Sequence, residues 1–228
     1  MSLEIINSII LSISFLLLFT VAEILYHKFK VKVELTRKLV HFGTGGITML
    51  FPIMLGNQWF VLLLCGSFAI ILITSLKFNL LQSVNAIERE SHGSISYPIS
   101  VYGCYLAYDY SHHNYIYFYL PILILAICDP IAALTGKKWP KGKYKIRNDN
   151  KTLMGSSMFF LSALTLSIGF YFIFQGSDFI YPILISSFLI ALTTTVTEAL
   201  SSKGFDNITI PIATLLTLAV LNSYLFIK

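Results

Sequence analysis

Charge is what this sequence has least of. Asp, Glu, Lys and Arg make up 12% of its 228 residues, where a soluble domain carries about 25%. No segment is polar enough to stand as a separate water-soluble domain, so residues 1–228 read as one unit. Cysteine is scarce too. Cys65, Cys104 and Cys128 lie in apolar segments without metal-like spacing, which makes them small buried hydrophobes rather than a zinc or redox site. No solenoid-length repeat or low-complexity tract occurs. A cleavable leader is not expected either: Glu4 is the only charge before the first apolar run, Ile5 to Tyr26, and that run is long for a signal-peptide core.

What the chain does have is apolar length. It is 56% hydrophobic, with a mean hydropathy of +0.75, and its apolar runs recur near the ~20 residues that span a bilayer. Their spacing predicts an all-α polytopic membrane bundle of about eight spans: 5–26, 40–56, 59–77, 95–110, 115–135, 153–174, 179–199 and 208–226. The second is short and rich in glycine (Gly43, Gly45, Gly46), and the fourth holds Pro98 and Gly103, so either could be re-entrant. The cations sort by side. Lys28, Lys30, Lys32, Arg37 and Lys38 precede the second span, Lys77 and Arg89 follow the third, and Lys203 follows the seventh. The central loop carries Lys137, Lys138, Lys141, Lys143, Lys145, Arg147 and Lys151, whereas the connections at 56–58, 110–114 and 175–178 contain no Lys or Arg. The basic loops are therefore expected in the cytoplasm and both termini on the opposite side. The net charge of +5 reports orientation, and no nucleic-acid partner is expected. On the outer side, Tyr105, Tyr108, Tyr110, Tyr115, Tyr117 and Tyr119 read as an interfacial aromatic belt, and His112 and His113 beside Asp109 read as a polar turn rather than a metal site.

The residues suited to chemistry gather on the cytoplasmic edge. Arg37 and His41 share a helix face, and a His one turn into a membrane suggests a polar cavity; Lys38 between them is adequately explained as a snorkelling anchor. Glu88, Arg89, Glu90, His92 and Gly93 form a weaker polar group before the fourth span. Asp129 follows a dozen predominantly apolar residues, and an unpaired ion at such depth costs about 2.5–3.5 kcal/mol. Before Pro130 it could be a helix cap, a metal-binding carboxylate, or both. The small residues Ala132, Ala133 and Gly136 would let a ligand approach the backbone. Lys151-Thr152 followed by Gly155, Ser156 and Ser157 opens a helix, a setting suited to phosphate, although the spacing is not that of a Walker A loop. Glu198 and Asp206 supply further carboxylates, near enough to complete a magnesium site with Asp129 if the helices pack that way. A carboxylate, ammonium groups and a Gly/Ser helix start are the parts that phosphoryl transfer uses.

In their order and sidedness these residues resemble the membrane-bound polyprenol and phytol kinases, relatives of dolichol kinase that typically use CTP. The resemblance rests on Arg37, Lys38 and His41, on Glu88-Arg89 with Gly93 and Tyr97-Pro98, and on Asp129 through Gly136. It continues with Lys151-Thr152, Gly155-Ser156, Glu198, Asp206-Asn207 and Pro211. It implies Mg2+-dependent transfer of the terminal phosphate of CTP to the hydroxyl of an isoprenoid alcohol, with membrane lipids as surroundings. Asp129 would bind metal or activate the hydroxyl, with Glu198 and Asp206 as further metal ligands and Arg37 and His41 lining the same pocket. Gly136, Lys137, Lys138, Lys151, Thr152, Gly155, Ser156 and Asn207 would hold phosphates and nucleotide. The chain departs from the pattern at Cys128 and Pro130, where the family often has Gly and a small residue, and at Met154, where some dolichol kinases have Glu. The competing readings are a CTP-dependent diacylglycerol kinase, a CDP-diacylglycerol synthase-like cytidylyltransferase, and a transporter of an anionic solute, which would place its polar residues at mid-membrane.

Overall fold

The computed structural model describes residues 2–86, 92–147, 149–175 and 180–225. Its helices in chain order are α1 (Leu3–His27), α2 (Val33–Thr48), the single turn α3 (Phe51–Met54), α4 (Gln58–Lys77), the turn α5 (Gln82–Asn85) and α6 (Gly93–Tyr110). There follow α7 (Ile116–Leu123), a π-helical turn at Ile124–Cys128 and α8 (Asp129–Lys138), which run on as one rod. After a short ribbon come α9 (Leu153–Gln175), α10 (Ile180–Leu200) and α11 (Asp206–Leu225). Among the described residues, five helical stretches are long and apolar enough to cross a membrane: Leu3–His27, Gln58–Lys77, Ile116–Lys138, Leu153–Phe174 and Ile180–Leu200. A helical membrane bundle is therefore what the sequence folds into, but five stretches meet that test rather than about eight. The expected second span breaks after Thr48 ahead of Pro52, and α6 carries buried Ser96 and Ser100 on its packed face.

Two apolar clusters divide the bundle. One joins α1, α2, α4 and α6 around Leu11, Phe15, Leu64, Phe68 and Val101. The other joins the long rod to α9, α10 and α11 around Leu125, Phe159, Ile190 and Leu218. Gly45 sets how α2 meets the rod, since a β-carbon there would collide with the Ala126 Cβ. Such glycines let helix backbones close on one another. The tyrosines expected as a surface belt are partly core: Tyr105 and Tyr108 are 1% and 5% exposed, and the Tyr105 hydroxyl donates to the Leu55 carbonyl. Their rings can pack inward because that hydroxyl finds a backbone partner. Tyr110, at 77% exposed, stays at the surface.

The basic loop is not irregular. Lys143–Ile146 (β1) pairs antiparallel with Asp149–Thr152 (β2), with Tyr144 opposite Lys151 and Ile146 opposite Asp149. Exposed lysines along so short a ribbon discourage further strands from adding to its edge. The ribbon delivers Lys151 directly into the first turn of α9.

Candidate active site

The starts of α2, α6, α9 and α11 and the ends of α8 and α10 meet at one end of the bundle, around a cavity of about 220 Å³. Arg37, His41, Asp129, Gly136, Lys137, Lys151, Thr152, Gly155, Ser156, Glu198, Asp206 and Asn207 all line it. Lys138 does not; its ammonium lies 4.6 Å from the centre of the Trp139 ring, outside the cavity. Glu88 and Arg89 lie outside the described residues.

Asp129 sits in mid-rod rather than at a helix end, and its carboxylate makes an ion pair instead of a cap. The Lys38 Nζ donates to Asp129 Oδ2 at 2.7 Å. Lys38, read from sequence as a membrane anchor, is thus the partner of the central acid. The available signal was its spacing: it precedes His41 by three residues, so both point to one helix face. The His41 Nε2–H donates to the Leu125 carbonyl at 3.0 Å, and that nitrogen is 3.8 Å from Asp129 Oδ2.

The π turn explains this histidine. In a π register a carbonyl takes its hydrogen bond from the fifth residue on; for Leu125 that residue is Pro130, which has no N–H. His41 supplies the missing donor from the neighbouring helix. The same interaction fixes its hydrogen on Nε2 and holds α2 against the turn that aims Asp129.

The second acid is held in the same way. The Lys151 Nζ donates to Glu198 Oε1 at 2.7 Å and also to the Glu198 backbone carbonyl near the end of α10, which accepts the Ser201 N–H at 3.1 Å as well. Lys137 pairs with Glu34 at 2.8 Å, tying α8 to α2 at the rim. Partial burial pushes the Glu34 carboxyl up, but the hydrogen bond and charge of Lys137, with Lys38 and Arg37 nearby, outweigh it and hold the group below its usual value.

Two of the lysines expected to hold phosphate, Lys137 and Lys151, therefore already have carboxylate partners, as does Lys38. Among the described lining residues, Arg37, Lys38, Lys137 and Lys151 face Glu34, Asp129, Asp149, Glu198 and Asp206: four cations against five acids. A polyphosphate entering such a cavity brings more negative charge than these side chains offset, so its binding calls for an added cation. The donor set suits one. Glu198 Oε2 is buried and has no hydrogen-bond partner, while Asp129 and Asp206 lie close enough for their charges to act on Glu198. No three His, Cys, Asp or Glu side chains among the described residues form a ready-made cage. Magnesium takes one or two carboxylates and completes its shell from water and substrate phosphates.

The helix start at Gly155 is already partly satisfied. Its N–H donates to Thr152 Oγ1 at 3.0 Å, so Thr152 caps α9, and Ser156 Oγ is 2.7 Å from the Tyr144 hydroxyl. Gly136 and Gly155 face one another. A β-carbon on Gly136 would come within 2.7 Å of Thr152 Oγ1 and 3.4 Å of the Gly155 Cα, so these glycines first serve the crossing of α8 and α9. Asp149, not singled out from sequence, accepts the Lys203 backbone N–H at 2.6 Å, and the Lys203 carbonyl accepts the His92 N–H at 2.8 Å. The Asn207 amide donates to the Gly93 carbonyl at 2.8 Å. These bonds pin the turn between α10 and α11 over the site. At the opposite end, His113 is 3.6 Å from Asp109 and belongs to no three-ligand group among the described residues.

Comparison with known proteins adds the decisive observation. Over 195 residues, which cover 85% of this chain and 82% of the other, the sequence is 28% identical to the phytol kinase of Synechocystis sp.. The chain is thus similar to a phytol kinase over most of the length of both proteins. No family model matches the sequence, and no solved structure matches it.

Proposed function

We propose that this protein is an integral membrane kinase that transfers the terminal phosphate of a nucleoside triphosphate, with CTP as the expected donor, to the hydroxyl of an isoprenoid alcohol. The observation that carries the reading is the pair of buried ion pairs, Lys38–Asp129 and Lys151–Glu198, facing one cavity in a relative of phytol kinase. The motif-bearing end faces the cytoplasm and both termini lie opposite, with α2, α6 and α11 crossing the bilayer beside the five more apolar stretches.

Phosphoryl transfer leaves little covalent work to the protein, which positions the reactants and offsets charge. The alcohol oxygen bonds to the terminal phosphorus, the bond from that phosphorus to the nucleoside diphosphate breaks, and the alcohol proton leaves. Asp129 is the group to orient the hydroxyl and accept that proton. A carboxylate tied to an ammonium is a weak base, but in a loose transition state the oxygen gives up its proton late, so a well-placed weak base is enough. Lys38 and Lys151 can share their N–H groups between carboxylate and phosphate as the donor enters. Lys137, Asn207 and the wall of Gly136, Thr152, Gly155 and Ser156 border the space for the nucleotide side. About 220 Å³ is below the ~300–1,000 Å³ of sites that enclose a whole ligand, so the cavity takes the phosphates and leaves the nucleoside at the mouth. Glu198 and Asp206 would hold magnesium, which when bound neutralises the phosphate oxygens.

The test is direct. Purified protein in lipid with magnesium is given γ-labelled CTP or ATP and phytol, geranylgeraniol, a long polyprenol or diacylglycerol, beside an Asp129→Asn control. Label in an isoprenoid alcohol that disappears with Asp129→Asn is the expected result. A product that retains cytidine would replace the kinase reading with cytidylyl transfer, label in diacylglycerol alone would replace the acceptor, and no transfer to any acceptor would remove the kinase reading.

A further inference from the structure

Next to the polar cavity the protein turns apolar. A narrow cleft of about 40 Å³ lies between α1, α2, α4 and α6, and its accessible surface is hydrocarbon. Phe19, Thr44, Leu72 and Tyr97 line both spaces, so the cleft opens off the cavity. Its mouth is close to the central acid: the Tyr97 ring is 5.4 Å from the His41 ring, and His41 Nε2 is 3.8 Å from Asp129 Oδ2. The wall from α4 runs inward from Leu72 through Phe68 and Cys65 to Leu64, a length of ~12 Å at the α-helical rise.

We propose that this cleft receives the hydrocarbon chain of the acceptor, with the chain threaded between α1 and α4 and its hydroxyl left in the polar cavity beside Asp129. The inference rests on the kinase reading and deepens it. The cleft is narrow, which suits an alcohol with one chain and disfavours diacylglycerol with two. Phe15 and Phe68, whose ring centres are 4.7 Å apart, form its inner wall, and aromatic side chains are well shaped for the methyl branches of a prenyl chain. Burial of each methylene from water or a looser site contributes about 0.8 kcal/mol, so the cleft would set selectivity by chain length while the polar cavity sets the chemistry.

Photolabelling tests the site without requiring turnover. Wild-type protein in lipid nanodiscs is irradiated with geranylgeraniol carrying a diazirine at its tail, and the adducts are mapped by mass spectrometry. Label on Phe15, Cys65 or Phe68 that excess phytol displaces is expected. Label confined to the lipid-facing Leu63 and Ile70, which are 65% and 66% exposed, or to α9–α11 would overturn the proposal. So would cleft labelling by a diazirine phospholipid that phytol fails to displace, since a membrane lipid would then be the occupant. In a kinetic arm, Cys65→Phe fills the cleft and should lower the ratio of kcat/KM for geranylgeraniol to that for geraniol about tenfold, with Leu63→Phe as the surface control. An unchanged ratio in a folded Cys65→Phe protein also overturns it. If Cys65→Phe fails to fold, the labelling of wild type decides. If transfer is absent but the cleft is labelled, the chain site stands and the kinase reading falls.

Discussion

The bond from His41 to the rod makes a quantitative prediction, because its origin is a specific missing donor. Leu125 is fully buried, and its carbonyl accepts from His41 Nε2 at 3.0 Å where Pro130 provides no N–H. His41→Ala leaves that carbonyl unpaired, at a cost of about 1–3 kcal/mol. Pro130→Ala restores an N–H at the position from which a π turn draws its donor. In that background the loss of His41 should therefore matter less. The assay is a double-mutant cycle on unfolding in mixed micelles, using His41→Ala, Pro130→Ala and the double variant. A coupling of about 1 kcal/mol or more is expected, in the sense that Pro130→Ala lessens the effect of His41→Ala. Strict additivity, within about 0.3–0.5 kcal/mol, would refute the account and leave His41 as a residue that acts only on bound ligand. Turnover provides a second reading. An Asp129 shifted by a relaxed π turn should lower kcat by up to ~100-fold, with little change in the KM for nucleotide.

Lys38→Met strands the buried Asp129 carboxylate and should destabilise the protein by about 3–5 kcal/mol; adding Asp129→Leu should restore most of that stability in the same unfolding assay while activity stays lost. Glu198→Gln removes the carboxylate with the unpartnered oxygen, and the magnesium concentration for half-maximal activity should rise about 10–100-fold, read from a metal titration at saturating nucleotide. Gly45→Ala puts a methyl group into the Ala126 contact and should cost about 1–3 kcal/mol by overpacking, with Ala126→Gly in the same chain relieving it; thermal unfolding of the single and double variants checks this. Glu34 is held below its usual value when folded, so its pair with Lys137 contributes above the unfolded-state pKa and is lost as pH falls through the lower folded-state value. Lys137 is exposed and Glu34 only half-buried, so solvent screens the pair and Glu34→Gln should change stability by less than about 1 kcal/mol, measured across pH 3 to 7 (about the carboxylate range).

What could be read from the sequence was sidedness. Apolar runs of membrane length separated by loops that alternate between basic and bare place Arg37, Asp129, Lys151, Glu198 and Asp206 at one edge, and the fold brings them to one cavity. Pairing could not be read, because it depends on contacts between distant parts of the chain. Six lysines and Arg147 count as seven free cations along the central stretch, yet Lys137 is tied to Glu34 and Lys151 to Glu198. Gly136 and Gly155 show the same limit. A small residue beside a motif suits a ligand or a neighbouring helix equally well, and only the crossing of α8 with α9 shows that a helix is already there.

Pro130 carries the point furthest. Beside Asp129 it is a departure from the family pattern, and in isolation it reads as a reason to doubt the site. In the fold it coincides with a π turn ending at Cys128, and His41, 84 residues earlier than Leu125, supplies the hydrogen bond that the turn lacks. The departure and its compensation are then one feature split across two helices. The residue that repairs the backbone also stands 3.8 Å from the carboxylate it helps to aim. A relative with a small residue in place of Pro130 would have an N–H to close its own turn, and a histidine at the position of His41 would then be free for another task. The same pair of positions can thus divide backbone repair and ligand contact differently from one protein to another, which is why neither residue's role follows from its identity alone.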